Sequence, residues 1–336
     1  MLFDAGKWRT GWNAFFGYAD GSNRQSRNKH VPPYECADVP DEGYPDGLTA
    51  NLAVKKLRAL SKGEKPFCLA VGFFKPHLPF TAPRKYWDLY DENAIPLSPV
   101  PNIPEGICRY ALLNCGEFNG YLEGDERASL DKSVSEVYAR KLRHAYFACI
   151  SYIDAQVGKI IDELERLGEA DNTIIVVWGD HGWHLGDQRV WGKHTLMETS
   201  LRSTLIMKVP HSSKSIENHR IVSSIDIYPT LMELCGVSVP DGLDGHSFTK
   251  LLADPKERSW HEAAYSYFNN GVSVRVPQYR LTRYRDKTKY ISELYDYHVD
   301  DMERKNTFEC AEKEFVKKLI DVWEKGVCPE KGELPE

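Results

Sequence analysis

Three observations predict an α/β fold with a mainly parallel sheet, followed by a small antiparallel subdomain. A helical stripe at residues 48–60 runs into the apolar stretch "KPFCLAVGFF". A second, longer helical pattern at 133–167 is followed by two apolar segments, "NTIIVVW" and "STLIMKV". Helix alternating with buried strand is the repeating unit of an α/β core. Beyond residue 255 the chain changes to short β-type runs separated by turns, as antiparallel hairpins require.

Taken in order, residues 1–46 are loop-rich in Gly, Asn and Pro. "YPDGLTANLAVKKLRAL" predicts a helix whose stripe is Leu48, Leu52, Val54, Leu57 and Leu60. "KPFCLAVGFF", residues 65–74, is expected to be a buried strand, and "APRKYWDLY" a short helix after Pro83. Residues 93–108 are Pro-rich and must be irregular. The clearest helix runs from about Ser133 to Leu167. Ser133 and Glu136 have capping-box spacing. Val137, Leu142, Tyr146, Cys149, Ile153, Val157, Ile160, Leu164 and Leu167 keep near a 3.6 period, and Gly168 is a natural stop. "AAYSYF", "GVSVRV", "YRLTRY" and "ISELYD" then form a sheet, with a last helix at about 312–325. The expected organisation is a divergent segment 1–30, a partial α/β domain 31–254 and a C-terminal subdomain 255–336.

Composition excludes several function classes. At 42% hydrophobic and 27% charged residues the chain is ordinary for a globular protein. Its net charge of -6 and scattered Lys and Arg argue against nucleic acid. No run approaches the ~18–20 apolar residues of a membrane span. "MLFDAGKWRTGWNAFF" lacks the layout of a signal peptide. The eight cysteines contain no CxxC pair, against a zinc ribbon or thioredoxin site. Cys68 and Cys149 lie in apolar segments and are expected in the core. Cys108 with Cys115, and Cys310 with Cys328, are candidate pairs or free thiols.

The chemistry concentrates in "VVWGDHGWHLGDQRVWGKHT", residues 176–195. Asp180 and His181 follow an apolar strand, and open parallel sheets gather ligands at strand carboxyl ends. Asp180 offers hard oxygen to a cation; His181 offers an imidazole nitrogen. The plainer alternative is a turn with a capping Asp and an exposed His. "GFFKPHLPF" supplies Lys75 as fixed charge and His77 as a general acid near neutral pH. Its plainer alternative is a strand-to-helix loop with a solvated Lys. "WGKHT" adds Lys193 and His194. Together Lys75, His77, Lys193 and His194 suit a tetrahedral oxyanion ester.

"GDHGWHLGD" resembles the second metal motif of the sulfatases in the alkaline-phosphatase-like superfamily. "AVGFFKPHLPF", "YFACISYIDAQVGKIIDELERLG", "DIYPTLMELCGV", "LDGHSFTKLL" and "ELYDYHVDD" are similar to successive segments of the iduronate-2-sulfatase branch, over about residues 31–310. The resemblance implies a sandwich of helices around a mainly parallel sheet, and hydrolysis of a sulfuric ester on a sulfated carbohydrate. It implies one calcium ion held partly by Asp180 and His181, sulfate gripped by Lys193, and His77 placed to protonate the leaving alcohol. The family is usually exported.

The resemblance also shows departures. The family's nucleophile is a formylglycine made from Cys in C-x-P-S-R or C-x-A-x-R, and none of the eight cysteines stands in that pattern. The paired aspartates that complete the family's calcium site find no match either. The chain is therefore expected to correspond to the C-terminal two thirds of a sulfatase, with N-terminal strands missing, a companion N-terminal chain as one potential partner, and doubtful activity alone. Competing readings are a phosphatase or phosphodiesterase of the same superfamily, and a non-catalytic anion-binding or split-enzyme subunit. The KPH and ELYD segments argue against the former; the absent nucleophile favours the latter.

Overall fold

The computed structural model describes residues 19, 31–112, 115–121, 126–212, 215–260 and 262–327. The first layer is a parallel pair, β1 (Tyr34–Ala37) and β2 (Phe80–Pro83), in register Tyr34↔Phe80 to Ala37↔Pro83. Between them runs α1 (Pro45–Leu60), and α2 (Arg84–Trp87) follows directly. Residues 34–37, expected to be loop, thus form a strand. α1 buries Gly47, Ala50, Ala53 and Leu57, whereas Leu48, Leu52, Val54 and Leu60 are only half-buried. The small side chains matter because a Cβ on Gly47 would sit 2.1 Å from the Asp41 carbonyl oxygen.

After α3 (Gly116–Asn119) comes the long helix α4 (Glu136–Arg166). Its N-cap is Ser135, whose hydroxyl accepts from the Tyr138 N–H at 3.2 Å, so the expected Ser133 box is displaced by two residues. Tyr138, Leu142, Ala145, Cys149, Tyr152 and Gln156 recur every three or four residues and face the core. Val137, one residue ahead of that stripe and so turned about 100° away from it, is 75% exposed. Gly168 closes the helix with φ +75°, a conformation that costs glycine nothing.

The stretch 65–74 departs from expectation. It joins no sheet, and Cys68, Ala70, Gly72 and Phe74 are exposed, with no strand beside them among the described residues. Cys68 is therefore not a core residue, while Cys149 is. β3 (Ile175–Trp178) pairs antiparallel with β6 (Leu205–Lys208) in a two-stranded ribbon. Between them lie β4 (His184–Leu185), β5 (Trp191–Gly192) and the turn α5 (Glu198–Leu201). Trp178 and Ile206 on that ribbon are 50% and 61% exposed. Among the described residues the parallel strand pair is β1–β2, with one isolated parallel bridge between Glu105 and Lys305. The short helices α6 (Ile227–Leu234) and α7 (Thr249–Ala253) follow.

The C-terminal sheet is the expected antiparallel meander. β7 (Ala264–Phe268), β8 (Gly271–Val276), β9 (Tyr279–Asp286) and β10 (Lys289–Asp296) lie in sequence order. α8 (Lys313–Val327) packs Leu319 and Trp323 onto Val274, Leu281 and Leu294. Arg283 lies over both the Tyr290 and Trp323 rings, 4.3 and 4.8 Å from their centroids. Cys108, Cys115 and Cys310 are free, so the 108–115 disulfide is absent. Cys328, the other half of the second candidate pair, lies outside the described residues. No described helix is long and apolar enough to cross a membrane.

Candidate active site

His77 stands just before the fully buried strand β2, and its loop is anchored from behind. Asp46 on α1 accepts from the Phe74 and Lys75 N–H groups at 2.8 and 3.0 Å. Lys75 does not face the site. It is 5% exposed, and its ammonium donates to the carbonyls of His77 (3.0 Å) and Pro79 (2.6 Å). Its role is to brace the loop from inside. Burial lowers the Lys75 pKa and raises that of Asp46.

The brace fixes the imidazole. His77 Nδ1 lies 2.7 Å from the Leu78 carbonyl oxygen, which can only accept, so Nδ1 carries hydrogen. Nε2 then faces Lys193 Nζ at 2.9 Å. Lys193 follows β5 and is steered by Trp183: its ammonium sits 5.3 Å from the indole centroid, and the His77 ring is 6.3 Å from that same indole. Trp183 is itself buried and packed edge-on against Phe80 of β2. Two segments 116 residues apart thus converge on one aromatic floor.

A third residue joins them that sequence reasoning missed. Glu117 on α3 places Oε1 3.2 Å from His77 Nε2 and 3.3 Å from Lys193 Nζ. Oε2 is buried and has no hydrogen-bond partner among the described residues. The hydrogen bond that the protonated ring donates from His77 Nε2, followed by the nearby Lys193 charge, outweighs burial and holds the Glu117 carboxyl down at about 2. Nothing local marks it, because Glu117 is one acid in an irregular stretch.

Asp180 and His181 occupy the turn after β3. Asp180 is 79% exposed at its side chain, and its Oδ1 accepts from the His181 N–H at 3.0 Å. His181 Nδ1 binds the Gly182 carbonyl at 2.7 Å, and Nε2 lies 3.6 Å from Asp180 Oδ2. The turn packs tightly against α5. The Gly182 N–H donates to Ser200 O, and a Cβ on Gly182 would meet Thr199 O at 2.1 Å. No group of three His, Cys, Asp or Glu side chains placed to hold a metal occurs among the described residues. Calcium takes about 6–8 ligands, mostly oxygen. Asp180 and His181 alone do not make such a site.

The other two histidines of this region do different work. His194 is exposed and stacks on Phe268 of β7, centroids 5.6 Å apart, so it turns to the C-terminal sheet and not onto His77. His184 is fully buried between Gln188 Oε1 (3.0 Å) and Thr195 Oγ1 (2.9 Å), and burial pushes it down to about 4. It stays neutral and holds together the loop that carries Lys193.

Comparison with known proteins places the chain in a family. The sequence model of the sulfatase family matches residues 4–237, and that of the N-sulphoglucosamine sulphohydrolase C-terminal region matches 179–325. Iduronate 2-sulfatase of Mus musculus is 30% identical over 241 residues, covering 62% of this chain and 43% of that protein. The chain thus spans less than half the length of that curated relative. Among solved structures, phosphonate monoester hydrolase of Agrobacterium radiobacter superposes with a TM-score of 0.70 at 22% identity, over 89% of this chain and 66% of that one. A protein solved with its substrate D-glucosamine-2-N,6-O-disulfate gives 0.68 at 22% identity, over 84% and 69%. These likenesses establish the alkaline-phosphatase-like α/β fold, and the family match over most of its length shows that the chain belongs to the sulfatase family.

Proposed function

We propose that the chain carries the sulfate grip and the leaving-group acid of a sulfuric ester hydrolase acting on a sulfated sugar. The observation behind this is the convergence of Lys193 Nζ and His77 Nε2 at 2.9 Å over Trp183. An ammonium can hold a sulfate oxygen by a charge-assisted hydrogen bond. An imidazole fixed through Nδ1 can deliver a proton from Nε2 to the departing alkoxide. The 30% identity to iduronate 2-sulfatase supports a sugar 2-sulfate as substrate. By resemblance, Asp180 and His181 would supply two ligands to the calcium ion of the family. None of the eight cysteines stands in the formylglycine motif, so the attacking group is expected to come from elsewhere.

The test is calorimetric titration of the full chain with sodium sulfate, together with an aryl sulfate assay. Sulfate should bind, bind less tightly as NaCl rises, and lose affinity in Lys193→Ala. The chain alone should release no 4-nitrophenol from its sulfate ester. Sulfate affinity indifferent to both Lys193→Ala and His77→Ala would remove the anion pocket. Turnover abolished by His77→Ala would show that the chain holds its own nucleophile.

A further inference from the structure

Glu117 is an anomaly in an anion pocket. A carboxylate oxygen already sits within 3.3 Å of both donors that an ester oxyanion would use. Its second oxygen is buried and unpartnered among the described residues, where Lys193 and His77 are the groups that offset its charge. With Glu117 ionised, the three groups sum to zero when His77 is neutral and to one positive charge when it is protonated. An oxygen that accepts from both Nζ and Nε2 must lie within a few ångströms of Oε1. Each negative charge on the incoming ester therefore meets a fixed negative charge.

Resting on the assignment of His77 and Lys193 as the anion grip, we propose that Glu117 sets the charge class of the ester. It makes the pocket select singly charged sulfate monoesters over doubly charged phosphate monoesters. The two esters have the same tetrahedral shape, so shape cannot separate them and charge can. Specificity is a difference of affinities, and a repulsive element against the wrong ligand is one way to build it. A sulfate monoester keeps one charge at all ordinary pH. A phosphate monoester gains its second near pH ~6 and is then repelled twice where the sulfate is repelled once.

The experiment titrates the full chain and Glu117→Gln with methyl sulfate and methyl phosphate at pH 8. Glutamine keeps the size of the side chain and removes the charge. The native chain should prefer methyl sulfate. In Glu117→Gln the preference should shift toward methyl phosphate by about tenfold, which is ~1.4 kcal/mol. Should the variant misfold, the native chain still decides. Between pH 5.5 and 8 its affinity for methyl phosphate should fall at least about fivefold relative to methyl sulfate, as the second phosphate charge develops. A ratio unchanged by either the substitution or the pH step would reduce Glu117 to a brace for α3 and overturn the proposal alone. Binding of neither ester, or binding that survives Lys193→Ala, would overturn the anion grip and this proposal with it.

Discussion

Replacing Glu293 by glutamine should stabilise the chain at alkaline pH and leave it little changed at acid pH. Glu293 lies on β10, 1% exposed. Its carboxyl accepts from the Cys108 N–H at 2.5 Å and from the Tyr295 hydroxyl at 3.3 Å. Burial is the main reason its pKa rises from 4.5 to about 7, and those two hydrogen bonds only partly oppose it. A raised carboxyl favours the folded state fully below the unfolded value. That contribution drains away as pH climbs past 4.5 and is gone once pH passes about 7. At ~1.36 kcal/mol per pKa unit, the loss has a ceiling of about 3 kcal/mol. Glutamine keeps the acceptor for Cys108 and never ionises. Urea unfolding of both proteins at pH 4.5, 6 and 8 should show the variant gaining about 2–3 kcal/mol on the native chain between the first and last. Using the difference cancels the titrating groups that do not couple to Glu293. A difference flat across that range would mean that Glu293 ionises normally and that β10 is less sealed than the structure shows.

His184 has the opposite sign. Its depressed pKa means that the unfolded chain takes a proton below about 6.5 and the folded chain only near about 4. Folding stability should therefore fall as pH drops through that window, by about 2–3 kcal/mol relative to a His184→Gln variant, measured by urea melts at pH 7 and 4. Lys75→Met should cost about 2–4 kcal/mol, because the carbonyls of His77 and Pro79 lose their donor and Asp46 loses its nearby charge. Sulfate affinity lost in Lys75→Met with unchanged thermal stability would instead put Lys75 on the anion.

What the sequence revealed and what it hid follow from locality. α4, α8 and the strands β7 to β10 carry their own periodicity, so pattern located them within a few residues. His77, Lys193 and the Asp180–His181 turn drew notice because each sits beside turn residues near an apolar run. The inward turn of Lys75 was hidden, since sequence does not say which carbonyls a long side chain reaches. His194 was hidden likewise, because its partner Phe268 belongs to a sheet 70 residues away. Glu117 was invisible for a stronger reason: its meaning lies wholly in the ammonium and the imidazole it meets. The stretch 65–74 looked like a strand because its residues suit one, but a strand also needs a neighbour to bond, and none lies beside it among the described residues.

Composition changes near residue 255, yet the structure draws no mechanical boundary there. Glu105 donates its N–H to Arg304 and accepts from the Asn306 N–H, and Cys108 holds Glu293. Glu198, on the turn behind Gly182, gives its N–H to Glu303 and its carboxylate to Arg280. Gln188, which supports His184, donates to the Met302 carbonyl. The C-terminal sheet is thereby the back wall of the loops that carry Lys193 and, through residues 105–112, of the approach to Glu117. The two regions should melt as one cooperative unit in calorimetry. A cut after residue 255 would then release not a spare module but the scaffolding that keeps the anion pocket in register.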